Sequence, residues 1–477
     1  MDIFQLMLLF PSALFFLPAL SAPVNQVEPS YVSEPSQRGT MGLLLSCTST
    51  FGLCIWTAVH SDVVPVKQRR ARVYYKLSLM LFAALVPEFV LYFAVAQRIR
   101  ARKICGAWRS AWENQPEYQD WLQTSGAFFA VMGGFVVKVN EQSEGLDLVT
   151  TIRPSGFEKL LEHETFKDLI RKKVLTQAQL GHQNIEDKGK ASDIAKLVVA
   201  IQILWMVVQC IGRKATGLPV TLLEAHILIQ ILYSVIAYFC WWEKPLDIGE
   251  PIALSLDSNL LSLLGHDVNA EGTGYFRKQY FITERRDRCE FLRMSARAAY
   301  DIGANYPSNI HVWATIMAII NGVLHATVWN SHFPTSTERL LWRISALGLG
   351  AFPLALCLAV WGKDIEQYVM RGVYDLRFAD GHMVTYWSKA IVKMLRCAAE
   401  GDEIEDAPDE HSSKHSNKWP AGLPIWSRFL VVGIMPLAVL GYLLCIGYLT
   451  LEAFLSVRSL PAGAYSTPRW SNLFPHF

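Results

Sequence analysis

Seven long apolar segments limit what this chain can fold into. They are Met41–Val59, Leu77–Ala96, Ile194–Ile211, Leu222–Trp242, Ile310–Trp329, Ile344–Trp361 and Phe429–Leu451. Each spans 18 to 23 residues, and about 20 helical residues cross the hydrocarbon core of a bilayer. Within lipid every backbone N–H and C=O needs a partner in its own segment, so such stretches are helices. The expected fold is an all-α, polytopic transmembrane helix bundle with seven or eight membrane segments. Composition agrees. Charged residues are 18% of the chain, where a soluble domain carries about a quarter. The net charge of +2 gives no global pull toward nucleic acid, and none is expected as a partner.

The N-terminus and the basic residues orient the bundle. Met1–Ala22 is apolar and ends Leu20-Ser21-Ala22 before Pro23, which reads as a signal peptide. Asp2 is a poor start for one, so an uncleaved first helix is the alternative. Either way residues 23–40 lie in the lumen, and the first span enters the cytosol. Lys67, Arg69, Arg70, Arg72 and Lys76 make the following loop basic, as cytosolic loops are. The second segment breaks this simplicity, because Arg98, Arg100, Arg102 and Lys103 follow it at once. Pro87 sits at its middle, where proline removes a helix hydrogen bond. Leu77–Ala96 therefore reads as re-entrant, or as kinked and followed by a short second crossing near Thr124–Val139. Both arrangements keep the long loops in the cytosol.

The organisation expected between these segments is mostly helical. Residues 41–103 hold the first two membrane segments. Residues 104–193 form a polar loop with a predicted helix over Phe157–Leu180, started by a Ser155–Glu158 capping box. In the same loop Thr124–Val139 is short and Gly-broken, so a buried strand competes with a crossing. A helix pair at 194–242 precedes a basic loop at 243–309. Within that loop Arg277–Arg297 reads either as a solvated face or as a surface for anionic headgroups. A second pair spans 310–361. Residues 362–428 begin as an amphipathic helix and end in an acidic, Ser-rich linker too polar to bury a core. The last membrane helix is 429–451, and 452–477 is a tail.

Chemistry is sought where ionisable groups enter apolar segments, since such groups usually face a bundle interior or cavity. Glu88 is the clearest case. It reads as a proton carrier, acid/base group or cation partner, or else as an ion pair with Arg98 or Arg100. The fifth segment is the richest in polar groups. At 100° per residue Asn321, His325 and His332 fall within about 40° of one another, with Trp329 at the edge. Imidazoles move protons near neutral pH and an amide orients a carbonyl or hydroxyl. The strip is therefore a candidate acid/base face, against ordinary interhelical hydrogen bonding. Glu224 and Glu338 follow Thr221 and Thr335 by three residues, and both read as helix caps. His226 lies in the first turns of the fourth segment, facing headgroups or bundle.

The nine cysteines form no CxxC or CxxH pattern. Neither a disulfide framework nor a zinc site is supported. GxxxxGK[ST], HExxH, GxSxG and GxGxxG contexts are missing, as are a DDxxD-like pair and a haem motif. No cofactor and no metal are expected.

Several words of the sequence then carry a resemblance. They include RGTMGLLLSCTSTFGLCIWTAVH (Arg38–His60), VPEFVL (Val86–Leu91), FFAVMGGF (Phe128–Phe135), EDKGKASDIAKLVVAIQILW (Glu186–Trp205), LPVTLLE (Leu218–Glu224), WWEKPLDI (Trp241–Ile248) and HFPTSTERLLWRISAL (His332–Leu347). Together with the C-terminal tail they resemble a large family of filamentous-fungal integral membrane proteins without an assigned activity. Members are sometimes encoded among secondary-metabolite genes. The resemblance implies a role in secondary metabolism in the endoplasmic reticulum or another endomembrane. Three readings follow. The first is cofactor-free acid/base chemistry on a hydrophobic small molecule. The second is proton-coupled transport or export of a metabolite. The third is a membrane scaffold for soluble pathway enzymes.

Overall fold

The computed structural model describes residues 31–33, 38–63, 69–140, 147–180, 192–245, 251–254, 266–268, 274–276, 281–283, 310–359 and 435–467, with single positions 248, 256 and 260. The signal segment, most of the basic run Arg277–Arg297 and the acidic linker lie outside them. The chain divides into two compact units. One comprises Met1–Cys47, Val208–Ile229 and Asp287–Phe477; the other comprises Thr48–Val207 and Gln230–Arg286.

The described helices are α1 (Thr40–Ala58), α2 (Arg69–Leu85), α3 (Pro87–Ala111), α4 (Pro116–Gln119), α5 (Thr124–Val131), α6 (Pro154–Leu161), α7 (Glu164–Arg171), α8 (Gln177–Leu180), α9 (Ser192–Ala215), α10 (Leu222–Cys240), α11 (Ile310–Ala326), α12 (Ser336–Ala359) and α13 (Met435–Leu455). Among the described residues five helices are long and apolar enough to cross a membrane: α1, α9, α10, α12 and α13. The bent pair α2–α3 makes a sixth if it counts as one span. Helix α11 is shorter, at 17 residues.

The five are not alike. Helix α10 is 78% buried, against 28–33% for the other four. Along α9, Leu197, Val198, Ile201, Leu204 and Trp205 stay exposed. Water would make that outward face costly, whereas acyl chains suit it.

The second predicted segment is two helices. Its break falls at Val86, and the pair is bent by 115°. Proline disfavours helical geometry in the residue before it and suits the first position of a helix. Val86 accordingly takes φ −133° and ψ 66°, and Pro87 opens α3.

In its own unit α3 runs on into a core that contains strands as well as helices, so the loops expected to be mostly helical are helical only in part. Strands β1 (Phe135–Asn140), β2 (Asp147–Ile152), β3 (Ile252–Leu254) and β6 (Phe281–Thr283) form a four-stranded sheet in the order β3-β1-β2-β6. Strands β1 and β2 pair antiparallel, β1 and β3 parallel, and β2 and β6 antiparallel. Strands β4 (His266–Val268) and β5 (Gly274–Phe276) form a separate hairpin. Val136, Val137 and Ile152 supply β-branched side chains that suit pleated pairing.

Thr124–Val139 is thus no crossing. Helix α5 ends at Val131, Gly133 turns at φ +78°, and β1 follows. Gly134 admits the Phe129 ring, which would lie 2.4 Å from an added Cβ. Phe128, Phe129, Phe135, Phe157, Phe166, Trp108 and Trp112 are fully buried and form the centre of this core.

The predicted helix Phe157–Leu180 is three short ones instead. Pro154 takes the first position of α6, and no side-chain cap forms there. Glu158 turns away to Arg100 at 3.0 Å and Lys103 at 3.6 Å. Lys173, at φ 59°, closes α7. Val174 N–H reaches Leu169 O at 2.9 Å and Lys173 N–H reaches Ile170 O at 3.0 Å. This is the pair of bonds by which a left-handed residue ends a helix.

In the other unit α11, α12 and α13 pack in sequence, with glycines at the closest approaches. A Cβ on Gly322 would lie 2.5 Å from Ala346 O, and one on Gly348 2.5 Å from Cys445 Sγ. Small residues allow such contact between membrane helices, where packing rather than hydrophobicity drives association. The fifth predicted segment ends early, because α11 stops at Ala326 and turns follow.

Candidate functional site

The unit containing α11–α13 gathers four chain segments at one end. Arg213, near the C-terminal end of α9, is fully buried among carbonyls. Its Nε donates to Pro219 O (3.0 Å), Nη1 to Ser466 O (2.9 Å), and Nη2 to Gly463 O (2.8 Å) and Ala464 O (2.9 Å). Arg38 N–H donates to Tyr465 O at 3.1 Å. The start of α1, the α9–α10 turn and the segment after α13 are therefore tied together. The start of α12 joins them. Arg458 pairs with Glu338, and the Tyr448 hydroxyl donates to Glu338 O at 3.2 Å.

Glu224 sits within this end. As the sequence indicated, it caps α10: Thr221 N–H donates to Glu224 Oε2 at 2.9 Å, and Glu224 N–H to Thr221 Oγ1 at 3.2 Å. Its other oxygen takes Arg38 Nη2 at 2.6 Å, an ion pair that the cap motif alone did not announce. Thr335 and Glu338 form the second capping box, with bonds of 3.1 and 3.2 Å.

One turn further into the bundle lies the arrangement with most chemical reach. His226 on α10 and His325 on α11 are both fully buried. His226 Nδ1 lies 3.0 Å from His325 Nε2. His325 Nδ1 lies 2.9 Å from Asn321 O, one turn back on its own helix. Trp342 Nε1, from α12, donates to His325 O at 3.2 Å. The Trp342 ring also packs against His325, with centroids 5.9 Å apart. Two imidazoles in direct hydrogen bond, away from water, form a unit through which a proton can pass.

The predicted polar strip is therefore half present. Asn321 and His325 meet, through the backbone carbonyl of Asn321. His332 does not join them, because α11 ends at Ala326 and the helical projection does not extend that far. Its ring instead bonds the Ser459 carbonyl; burial pulls its pKa below the usual histidine range, and that carbonyl opposes the shift. His226, left undecided between headgroups and bundle, is the partner that the sequence did not name. A signal was available. Gln230 and Ser234 follow it at four-residue steps, which sets a polar line on an apolar helix.

Glu88 belongs to the other unit. It lies in the first turn of α3, just past the bend, and is buried. It lies within electrostatic reach of the buried Tyr233 hydroxyl. Arg98, expected as a partner, caps α10 by donating to Phe239 O and Cys240 O at 3.1 and 3.2 Å. Arg100 is on Glu158.

A buried lysine with a full set of acceptors also lies in this unit. Lys244 Nζ donates to His60 O (2.7 Å), Asp62 Oδ1 (2.7 Å) and Gln97 Oε1 (2.9 Å). Three acceptors match the three ammonium hydrogens, so the group is held as a cation rather than kept as a free base. Burial pulls its pKa below the ordinary lysine value, and the Asp62 carboxylate opposes this. Among the described residues no three His, Cys, Asp or Glu side chains converge as a metal set.

No curated protein and no solved structure matches the chain. The model of a family described as a family of unknown function (DUF8562) matches residues 9–266. That stretch is more than half of the 477 residues and includes Glu88, Glu224 and His226; the chain belongs to this family.

Proposed function

We propose that this is an integral membrane protein of a fungal endomembrane, the endoplasmic reticulum above all, that acts in secondary-metabolite biosynthesis. Its substrate is a hydrophobic small molecule taken up among the helices. Its reaction is a cofactor-free proton transfer, as in cyclisation or isomerisation. One observation carries the reading: the His226–His325 contact at 3.0 Å between two fully buried rings. An acid/base pair placed away from water suits a substrate that itself avoids water. Glu88 stands as a separate acid/base candidate beside Tyr233.

The proposed membrane arrangement follows from the end that Arg213, Arg38 and Glu338 hold together. If the start of α1, the α9–α10 turn, the start of α12 and the end of α13 share the lumenal side, then α1 and α9–α13 make six crossings. Residues 112–191 then lie in the cytosol, and the bent α2–α3 pair enters and leaves on that side as a re-entrant hairpin. A signal peptide ahead of residue 23 accounts for the lumenal start.

The test uses the purified full-length chain in liposomes, with extracts of a deletion strain as the source of accumulated intermediate. Conversion of an intermediate without partner or gradient supports this reading. Movement across the bilayer without conversion replaces it with proton-coupled transport. Neither activity, with soluble pathway enzymes retained on the liposomes, replaces it with a scaffold.

A further inference from the structure

Arg98, Arg102, Lys103 and Arg109 make α3 basic where it leaves its apolar stretch, and no Asp or Glu lies between Glu88 and Glu113. Arg98 sets the height of this run, because it donates to Phe239 O and Cys240 O at the C-terminal end of α10. Phe239 and Trp242 stand exposed there, with their rings stacked 6.2 Å apart. Exposed aromatic rings at the end of a membrane-length helix mark the border of hydrocarbon and headgroups. Arg98 is therefore at that border, and Arg102 and Lys103 lie about 6–8 Å further along the helix. The headgroup layer is about as deep, at roughly 5–8 Å on each side of the hydrocarbon. At 100° per residue Ile99 and Gly106 fall at the centre of the exposed face of α3, with Arg102 to one side of Gly106 and Lys103 to the other. A Cβ on Gly106 would meet nothing within 4 Å, so the two cations flank open surface. Carboxylates are scarce around them. Glu158 lies 3.0 Å from the buried Arg100 and 3.6 Å from Lys103, so it serves Arg100 first. Arg102 makes no ion pair among the described residues. Glu243 and Asp120 lie within electrostatic reach of Cys105 on the same stretch.

We propose that Arg102 and Lys103 hold the phosphate of an anionic phospholipid headgroup against α3 at Gly106. The guanidinium of Arg102 presents two parallel N–H donors to phosphate oxygens, and the Lys103 ammonium adds a point charge from the other side. The surrounding bilayer supplies the phosphate, because the aromatic end of α10 places both side chains at headgroup depth. Ile99, exposed one turn nearer the hydrocarbon, lies beside the first carbons of the acyl chains. Arg98 is a positioning residue, since its guanidinium is engaged by the α10 carbonyls and keeps α3 at this depth. In the membrane arrangement proposed above this is the cytosolic leaflet, where anionic lipids concentrate. The site depends on α10 spanning the bilayer and not on any reaction, so its loss would leave the proton-transfer reading standing.

Native mass spectrometry of the full-length chain, released from mixed vesicles of phosphatidylcholine and phosphatidylserine, tests the site. The wild type should retain phosphatidylserine in preference to phosphatidylcholine. Arg102→Gln and Lys103→Gln should each lower that preference about fivefold. Gly106→Glu enters open space and so should keep the wild-type thermal midpoint, while its carboxylate, one turn from both cations, should abolish the preference. Arg109→Gln removes the same charge from the same face about 10 Å beyond Arg102, and should leave the preference as it is. No preference in the wild type would overturn the proposal. Equal losses from Arg109→Gln and Arg102→Gln would do so too, since they would show diffuse attraction to a basic face. Inorganic phosphate should leave the thermal midpoint in phosphatidylcholine vesicles unchanged. A rise matching that given by phosphatidylserine would assign the site to a free anion and overturn the lipid.

Discussion

At the scale of single residues, buried charge governs the end of the bundle. Removing Arg38 leaves Glu224, 2% exposed, without its cation. Breaking a buried pair from one side costs about 3 kcal/mol or more. Arg38→Ala should therefore lower the thermal midpoint in detergent clearly, Glu224→Gln less, and the double variant less than the sum, as a double-mutant cycle reads out. Arg213→Lys should also destabilise, because a point ammonium cannot span four carbonyls set in a fork; accelerated proteolytic trimming of the C-terminus would report it. His332 adds a pH dependence. Its folded pKa is depressed, so the unfolded chain binds more protons between that value and the ordinary 6.5. Its contribution is present above about pH 6.5 and is lost as pH falls through the folded value. His332→Asn should flatten the fall in thermal midpoint as pH drops below the ordinary histidine value of 6.5. Much at this scale was legible: Thr-x-x-Glu twice announced a cap, and Asn321 and His325 were four apart. Arg38 and Arg213 were not, because their partners are backbone carbonyls and a carboxylate far along the chain, and spacing carries no trace of them.

At the scale of elements, close helix contact at glycine places α11 and its histidine. Gly322→Ala would push a methyl against the Ala346 carbonyl, which as backbone cannot step aside. The helices must separate, at a cost of about 1–3 kcal/mol. Gly447→Ala on α13 meets nothing within 4 Å and should leave stability level or slightly raised. Thermal unfolding of the two variants side by side checks the pair, and equal losses would contradict it. The break at Val86–Pro87 was readable because proline announces it. The end of α7 was not, because Lys173 takes the left-handed position that glycine usually marks. The sheet stayed half hidden for a similar reason. Strand β1 is six residues long and finds β3 more than a hundred positions away, so only local β-branching hinted at it.

At the scale of the whole molecule, apolar length identified the membrane-length helices, but hydropathy does not rank them. Burial does: α10, which hydropathy treats as one span among several, is enclosed and carries His226. The proposed sidedness can be checked in microsomes. A protease site inserted near Glu186 should be cut from outside, whereas one near Gly217 should be protected. Protection at Glu186 would contradict the arrangement. The central claim is that the buried His226–His325 pair performs the protein's chemistry. Its most direct test is metabolite production in a deletion strain that expresses His226→Gln or His325→Gln at wild-type membrane levels. Production should fall by about 100-fold with either variant. Wild-type production from both variants would contradict the claim.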